Sequence, residues 1–393
     1  MLNSKNFKFL LLVIAIYLIL FFSFFRKTWK IASPSKVIAF SPNSEMIAVA
    51  SGEPKKYFKA SNHSIHRASS TVEIRKVSNG KVIQTLDFSA ATSVAFSPNN
   101  KFLATGNYGK DVKVWRISDG QLIHSLEKAD PPFAGQTRLL AFTPDENTLV
   151  ASSGDYVAMD EDFNDISIWN LESDSIRYSL SELFTCAAVN MDEQLLAFGG
   201  GIEPLTIYRV NDGTAFQAID NISKSCRALQ FSQDSKLLVS ISYDSERNAN
   251  IYSLEAKKLL RQFVIQDRNY RHYFSDTALS PNGKYLAVAY IIDSYGDGFL
   301  LPSIPKALFS RIRIWNTENG RLIKTFVGHK KGINAIAFSP NGKWLVSAGK
   351  DSTIKLWRMP PRNYGWLWLL GAGGLAVLVY WQRNNLTNWI NRI

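Results

Sequence analysis

The sequence predicts an all-β protein, a seven-bladed β-propeller flanked by two transmembrane α-helices. Three observations support this prediction: a Phe-Ser-Pro-like tripeptide that recurs along the chain, a series of short strands after each copy, and an uncharged apolar segment near each end. A four-stranded unit of this size cannot bury both faces alone, so neighbouring units are expected to stack around an axis until the ring closes.

The composition agrees with an all-β fold. The chain has 393 residues, of which 46% are hydrophobic, 12% aromatic and 20% charged. Its apolar runs are short, rich in β-branched and aromatic residues, and interrupted by Gly, Asn, Asp and Pro, as is typical of strands and turns. Length alone would favour two or three domains. The repeats instead indicate one propeller over 27–360, with an anchor over 1–26 and a second helix and tail over 361–393.

Each repeat contains an alternating strand that ends in the tripeptide, a polar turn, a second strand, a third strand that often ends near Trp, and a short fourth strand. The seven tripeptides begin at Phe40, Phe96, Phe142, Val189, Phe231, Leu279 and Phe338. The predicted blades therefore start near residues 36, 91, 137, 183, 226, 274 and 332. Seven copies in phase are a much stronger signal than any one of them.

The last repeat resembles a WD40 repeat most closely. It contains Gly328-His329, then Ser347 in its second strand, Asp351 in the following turn and Trp357 at the end of its third strand. The resemblance covers roughly residues 30 to 360 and is to a bacterial-type form of the family, anchored in the membrane at both ends. It implies a structural tetrad of His329, Ser347, Asp351 and Trp357, in which Asp bonds the His and the turn, His bonds the hydroxyl, and the hydroxyl bonds the indole.

The other repeats depart from this pattern. Blade 2 keeps Thr105 and Trp115 but has Gly109 where the Asp would be, and blade 4 has Tyr208 in place of the Trp. We therefore expect apolar packing, rather than a complete tetrad, to hold most blades together.

Two segments have the composition of membrane spans. Phe9–Phe25 is uncharged and nearly all apolar, and Arg26-Lys27 follows it directly, which favours a retained anchor over a cleaved signal peptide. Tyr364–Trp381 is also uncharged and has aromatic residues at both ends, as spanning helices do. A terminal hairpin or a buried core helix is the alternative for this second segment.

The charges beside these segments suggest an orientation. More Lys and Arg residues lie near the spans on the propeller side than on the two tails, so the positive-inside rule favours a cytoplasmic propeller with both tails on the opposite side.

The only two cysteines, Cys186 and Cys226, each lie in a predicted apolar strand, and we expect two buried free thiols.

No catalytic, cofactor-binding or metal-binding constellation emerges from the sequence, and we expect a protein that is not an enzyme. His63 and His66 lack further nearby ligands, and the acidic run from Asp155 to Asp165 lacks the spacing of a calcium loop. Two alternative functions remain open. The first is a propeller enzyme, hydrolase-like or lactonase-like, with a site in the central channel. The second is binding of nucleic acid or another anionic ligand by a basic face, because the net charge is +12.

In WD40 propellers a strand from the N-terminus completes the last blade, so the resemblance implies that a segment near 27–32 supplies its missing fourth strand. Both ends of the chain then leave from one face, while the long loops Ser51–Ser70, Ser152–Asp165 and Tyr290–Ser310 lie on the other face. Long loops on a rigid scaffold commonly carry recognition. We therefore expect a membrane-tethered scaffold that binds a protein partner, with an acidic one best suited, through Lys55, Lys56, Tyr57, Phe58, Arg268, Tyr270, Arg271, Lys330 and Lys331.

Overall fold

A computed structural model shows seven four-stranded antiparallel sheets, which confirms the predicted all-β propeller. It describes residues 26–360 except 32, 52–70, 89–90, 108–110, 127–135, 155–163, 183, 185, 191, 193, 200–204, 220–225, 243–247, 266–271 and 293–309. Within these residues, no helix is long and apolar enough to cross a membrane. The predicted spans Phe9–Phe25 and Tyr364–Trp381 lie outside the described residues.

The strands of each blade are given in order from the first strand to the fourth. Blade 1 contains β2 (Ser35–Phe40), β3 (Met46–Ser51), β4 (Thr71–Lys76) and β5 (Val82–Asp87). Blade 2 contains β6 (Ala91–Phe96), β7 (Phe102–Asn107), β8 (Val112–Arg116) and β9 (Leu122–Leu126). Blade 3 contains β10 (Gln136–Phe142), β11 (Thr148–Gly154), β12 (Asn164–Asn170) and β13 (Ser175–Glu182).

The remaining blades follow the same plan. Blade 4 contains β14 (Cys186–Asn190), β15 (Leu195–Gly199), β16 (Leu205–Arg209) and β17 (Ala215–Ile219). Blade 5 contains β18 (Cys226–Phe231), β19 (Leu237–Ser242), β20 (Asn248–Ser253) and β21 (Lys258–Val264). Blade 6 contains β22 (His272–Leu279), β23 (Tyr285–Ile292), β24 (Ser310–Asn316) and β25 (Leu322–Val327). Blade 7 contains β26 (Ile333–Phe338), β27 (Trp344–Gly349), β28 (Thr353–Arg358) and β1 (Arg26–Lys30).

The first strands of the blades form the inner ring. Each contacts the first strands of the blades on either side, from β2 through β6, β10, β14, β18, β22 and β26 back to β2. The ring is closed by β1, which pairs with β28 from Arg26 opposite Trp357 to Lys30 opposite Thr353. The N-terminal segment therefore supplies the outer strand of the last blade, as the sequence predicts.

This pairing fixes the face at which the chain enters and leaves the propeller. The chain enters blade 7 at Arg26 and leaves β28 after Arg358, at the sheet end where the other blades turn from their third strand to their fourth. We call this the proximal face. The opposite face, which holds the turns from second to third strand and the connections between blades, is the distal face.

The recurring tripeptide is a turn-stabilising device. In six blades its buried hydroxyl accepts a hydrogen bond from the backbone N–H that starts the second strand and donates to an Asn or Asp two residues further on, as in Ser41 with Met46 and Asn43. The other five pairs of hydroxyl and N–H are Ser97 with Phe102, Thr143 with Thr148, Ser232 with Leu237, Ser280 with Tyr285, and Ser339 with Trp344. In blade 4, Asn190 instead donates to the backbone carbonyls of Ser232 and Gln233 in blade 5.

The hydrophobic core lies between blades rather than inside them. Among the described residues, six clusters of buried apolar side chains each combine two neighbouring blades, and one of them joins blade 7 to blade 1 across the closure. The second strands are buried on both faces, for example Leu195–Gly199, which explains their nearly continuous apolar sequences. Each blade therefore depends on both neighbours for its stability.

The closure strand is also held by its neighbour. The side chain of Lys27 donates to the Ser78 carbonyl in blade 1 at 2.7 Å, and Trp29 packs over Gly80 in the same turn. Gly80 has a φ of +76°, and a Cβ there would lie 2.5 Å from Trp29 Cδ1. Glycine is required at this position both for its conformation and for the room that it leaves to the indole.

The expectation of two free thiols is wrong. Cys186 in β14 and Cys226 in β18 form a disulfide between blades 4 and 5, with their Cα atoms 5.8 Å apart. The two strands are first strands of adjacent blades, so residues 40 apart in sequence meet at the inner ring. The ring places the two cysteines next to each other. The sequence pattern of each strand, taken separately, does not predict this contact.

Candidate functional site

The four tetrad residues of blade 7 form one continuous chain of hydrogen bonds. The Trp357 indole N–H donates to Ser347 Oγ at 2.9 Å, and Ser347 Oγ lies 2.8 Å from His329 Nε2. His329 Nδ1 lies 2.9 Å from Asp351 Oδ1. Asp351 also accepts a hydrogen bond from Thr353, so its carboxylate acts as the acceptor for His329 as well. The proton of His329 is then on Nδ1, and the Ser347 hydroxyl donates to His329 Nε2.

This buried chain fixes the backbone of the distal face. Asp351 Oδ2 accepts from the Lys330 backbone N–H at 2.7 Å, and the Lys350 backbone N–H donates to the Gly332 carbonyl at 2.7 Å. The connection that enters blade 7 is thereby bonded to the turn between its second and third strands. A fully satisfied buried polar network of this kind holds its members in a single arrangement.

The environment of Asp351 stabilises its charge. Burial acts to raise the pKa of this carboxyl, but hydrogen bonds from His329, Thr353 and the Lys330 N–H outweigh that effect. The pKa of Asp351 therefore lies well below its ordinary value.

Three lysines project from this fixed backbone. Lys330 and Lys331, both predicted for partner binding, are exposed in the connection that enters blade 7. The structure adds Lys350, which is exposed in the adjoining turn and which the sequence analysis did not select. Lys350 lies 19 residues after Lys331, so the sequence alone does not indicate that the two are close. The hydrogen bond from the Lys350 N–H to the Gly332 carbonyl shows that they are.

Seven further residues are predicted from the sequence to contact the partner. Lys55, Lys56, Tyr57, Phe58, Arg268, Tyr270 and Arg271 lie outside the described residues, as do most of the three long loops. His63, His66 and the acidic residues Asp155 and Asp160 to Asp162 lie outside them as well. Among the residues that are described, no group of three or more His, Cys, Asp or Glu side chains could hold a metal ion.

The other blades replace the tetrad in different ways. Blade 2 keeps its last link, with the Trp115 indole donating to Thr105 Oγ1 at 2.9 Å. Gly109, the residue at the Asp position of that blade, lies outside the described residues. In blade 4, Phe198 occupies the hydroxyl position and stacks on Tyr208 with ring centroids 4.6 Å apart. Apolar packing therefore substitutes for the polar chain there, as expected.

A half-buried carboxyl on the inner ring, which carries no recognisable signal in the sequence, joins two blades. Asp276 in β22 accepts from the Ile336 N–H of blade 7 at 2.7 Å and from the Thr277 N–H at 2.8 Å. Burial raises the pKa of Asp276 to about 7 despite these two hydrogen bonds. Both oxygens are occupied by backbone donors, so Asp276 links blades 6 and 7.

Replacing Asp351 by Asn should destabilise the propeller at neutral pH by about 1–3 kcal/mol, because the buried His329 and the Lys330 N–H lose their charged acceptor. The folded pKa of Asp351 is lowered, so its contribution is present above about pH 4 and is lost as the pH falls through the folded value. Chemical denaturation at several pH values should show the difference from wild type shrinking below about pH 4.

The exposed Glu318→Gln in blade 6 is the control, with an expected change within about 0.5 kcal/mol. A difference between wild type and Asp351→Asn that stays constant down to low pH would contradict the charged tetrad.

Comparison with known proteins identifies the repeat. The family model described as "WD domain, G-beta repeat" matches residues 80–116 and 320–358. Each segment covers the fourth strand of one blade and the first three strands of the next, which is blade 2 or blade 7. In these two blades the Trp indole donates to a Ser or Thr hydroxyl. The match thus falls on the blades that preserve the polar link.

Several curated proteins are similar over much of the chain. The nuclear distribution protein nudF of Aspergillus niger is 25% identical over 289 residues, 68% of this chain and 59% of its own length. The transcriptional corepressor LEUNIG_HOMOLOG of Arabidopsis thaliana is 23% identical over 330 residues, 83% of this chain and 36% of its own length. Eukaryotic translation initiation factor 3 subunit I of Aspergillus oryzae is 22% identical over 283 residues, 68% of this chain and 78% of its own length.

The chain therefore spans little more than half of nudF and about a third of the corepressor. None of the three descriptions is that of an enzyme. With seven four-stranded blades, a complete tetrad in the last of them and the family match on strands of blades 2 and 7, the chain is a seven-bladed β-propeller that contains WD40 repeats.

Proposed function

We propose that this protein is a membrane-tethered scaffold that holds a protein partner on its distal face, with an acidic segment of the partner bound by Lys330, Lys331 and Lys350. One observation carries the proposal: three exposed lysines project from backbone that the buried tetrad fixes. A preorganised surface loses little conformational entropy on binding, so more of the contact energy appears as affinity.

The charge of this cluster suits an acidic partner. Among the described carboxylates, that of Asp351 lies nearest to Lys350 in the sequence. It is already bonded to His329, Thr353 and the Lys330 backbone N–H, and its ion pair is with His329 rather than with a lysine ammonium group. Clustered charge of one sign steers an oppositely charged partner and raises its association rate. The WD-repeat relatives support a role in protein interaction rather than catalysis.

The tether is the second element of the proposal. Phe9–Phe25 and Tyr364–Trp381 have the length and composition of membrane spans. The chain enters and leaves the propeller side by side on the proximal face, at Arg26 and Arg358. Two spans attached there would turn the proximal face towards the bilayer and leave the distal face free for a partner.

For the side of the membrane, the disulfide and the flanking charges favour different answers. The charges favour a cytoplasmic propeller, but that rule applies to short loops, and large domains cross membranes largely regardless of charge. Stable disulfides are typical of oxidising compartments. The bond between Cys186 and Cys226 supports an oxidising compartment, and we propose that the propeller lies on that side of the membrane.

Changing Lys330, Lys331 and Lys350 together to Glu should abolish partner capture without loss of folding, because all three side chains are exposed. The assay is photo-crosslinking of the full chain in its own membrane, followed by identification of the adduct. The matched control changes the exposed Lys236, Lys284 and Lys343 on the proximal face to Glu. Equal capture by both variants would contradict the proposal.

Alkylating free thiols in intact membranes, without reductant, should leave Cys186 and Cys226 unmodified and recover them as one linked peptide by mass spectrometry. A Cys226→Ser variant is the control, since it should expose Cys186 to the reagent only after unfolding. Recovery of two alkylated cysteines from the wild-type protein would contradict both the bond and the oxidising side.

A further inference from the structure

The exposed apolar side chains of the propeller are concentrated at one level. Nine large apolar residues in the described part of the chain are exposed, and all belong to outer strands. Seven of the nine lie within the first three residues of their strands, next to the proximal face: Ile83, Leu122, Phe216, Leu259, Leu260, Leu322 and Ile323. The two others, Val264 and Val327, lie at the distal ends of β21 and β25.

The same level carries a repeated backbone irregularity. Six outer strands have a β-bulge beside their first or second residue, as between Leu259 and Arg261 opposite β20, and β1 alone pairs without one. A bulge twists the edge and interrupts its hydrogen-bonding row, which discourages the addition of a foreign strand. The exposed side chains are therefore poorly placed to receive a protein partner by strand pairing.

This level is also where the chain joins the propeller. Arg26 lies opposite Trp357 in blade 7 just as Leu322 lies opposite Trp315 in blade 6 and Leu122 opposite Trp115 in blade 2. The residue that follows Phe9–Phe25 thus occupies the position that carries exposed apolar residues in other blades.

Charge distinguishes one part of this rim from the rest. We define the proximal arc as the outer-strand starts and the adjoining turns of blades 5, 6, 7 and 1. Its exposed charged residues are eight basic and two acidic ones: Lys257, Lys258, Arg261, Arg321, Lys324, Arg358, Lys76 and Lys81, with Glu255 and Glu318. The corresponding exposed residues of blades 2 to 4 are two basic and four acidic ones: Arg177 and Arg209, with Asp119, Glu172, Asp174 and Asp212.

Apolar residues are concentrated in the same arc. Five of the seven exposed apolar residues near the proximal face belong to it: Leu259, Leu260, Leu322, Ile323 and Ile83. Blade 7, where the chain enters and leaves, lies inside the arc. Apolar side chains interleaved with Lys and Arg are the composition of surfaces that bind the interface of anionic bilayers.

We infer that the proximal arc is a lipid-binding surface that rests on an anionic bilayer, with Leu259, Leu260, Leu322 and Ile323 in the headgroup region and the lysines and arginines on lipid phosphates. The inference rests on the proposed tether, which brings this face to the membrane. It goes further, because a tether alone leaves the propeller free to rotate above the bilayer. The arc holds the propeller in one orientation.

Lipid contact can be measured with a fluorescent dye on single introduced cysteines, Leu260→Cys and Ile323→Cys, in the full chain reconstituted into vesicles. The two natural cysteines are bonded to each other and do not take the dye. Val264→Cys and Val327→Cys are matched controls, since they are similarly exposed at the distal ends of the same strands. Vesicles contain phosphatidylcholine alone or with phosphatidylglycerol, and brominated acyl chains act as quenchers.

The expected result is a blue shift and quenching at 260 and 323, stronger with phosphatidylglycerol, and neither effect at 264 and 327. Changing Lys257, Lys258 and Lys324 to Glu should remove the dependence on anionic lipid, whereas changing Lys330, Lys331 and Lys350 on the distal face should not. Equal signals at all four labelled positions would overturn the inference, as would crosslinking of position 260 to a second copy in place of quenching.

Extraction at alkaline pH separates failure of the arc from failure of the tether. Protein that stays in the vesicles without quenching at 260 and 323 would refute lipid contact and leave the tether standing. Protein that washes off the vesicles would refute the tether and, with it, the inference.

Discussion

The pairing of β1 with β28 is the constraint on which the other features depend. The two strands lie at opposite ends of the described chain, and their ladder from Arg26–Trp357 to Lys30–Thr353 converts a row of blades into a ring. Because the core lies between blades, an open ring would expose the apolar faces of blades 7 and 1, including Ile38, Val49, Val346 and Leu356. The same pairing places the points where the chain enters and leaves the propeller side by side and so defines a proximal and a distal face.

Within this ring, different interactions join the second and third strands of individual blades. Blade 7 uses a polar chain from Trp357 to Asp351, blade 2 keeps one hydroxyl–indole bond, and blade 4 stacks Phe198 on Tyr208. The polar solution costs desolvation but fixes the backbone of Lys330 and Lys350. The blade with the complete tetrad is therefore the one that offers the best-fixed described charges on the distal face.

The sequence predicts the ring and its closure well, since these follow from repeat number and strand order. It identifies the recurring tripeptide as a marker of each blade, and the structure shows that the tripeptide hydroxyl holds the turn after the first strand. What it could not predict depends on which blades are neighbours. Cys186 meets Cys226, Lys350 joins Lys330, and Asp276 reaches the Ile336 N–H, each through contacts between distant parts of the chain.

Hydrogen exchange of the full-length protein, resolved along the chain, tests the closure most directly. If β1 closes the ring, its amides are as protected as those of the inner strands, and Gly80→Ala, which displaces Trp29, selectively lowers the protection of β1. Gly342→Ala is the matched control, because Gly342 also has a positive φ, of +66°, but has nothing within 4 Å of an added Cβ. Rapid exchange throughout β1, together with protected inner strands, would show that the pairing of β1 with β28 does not close the ring.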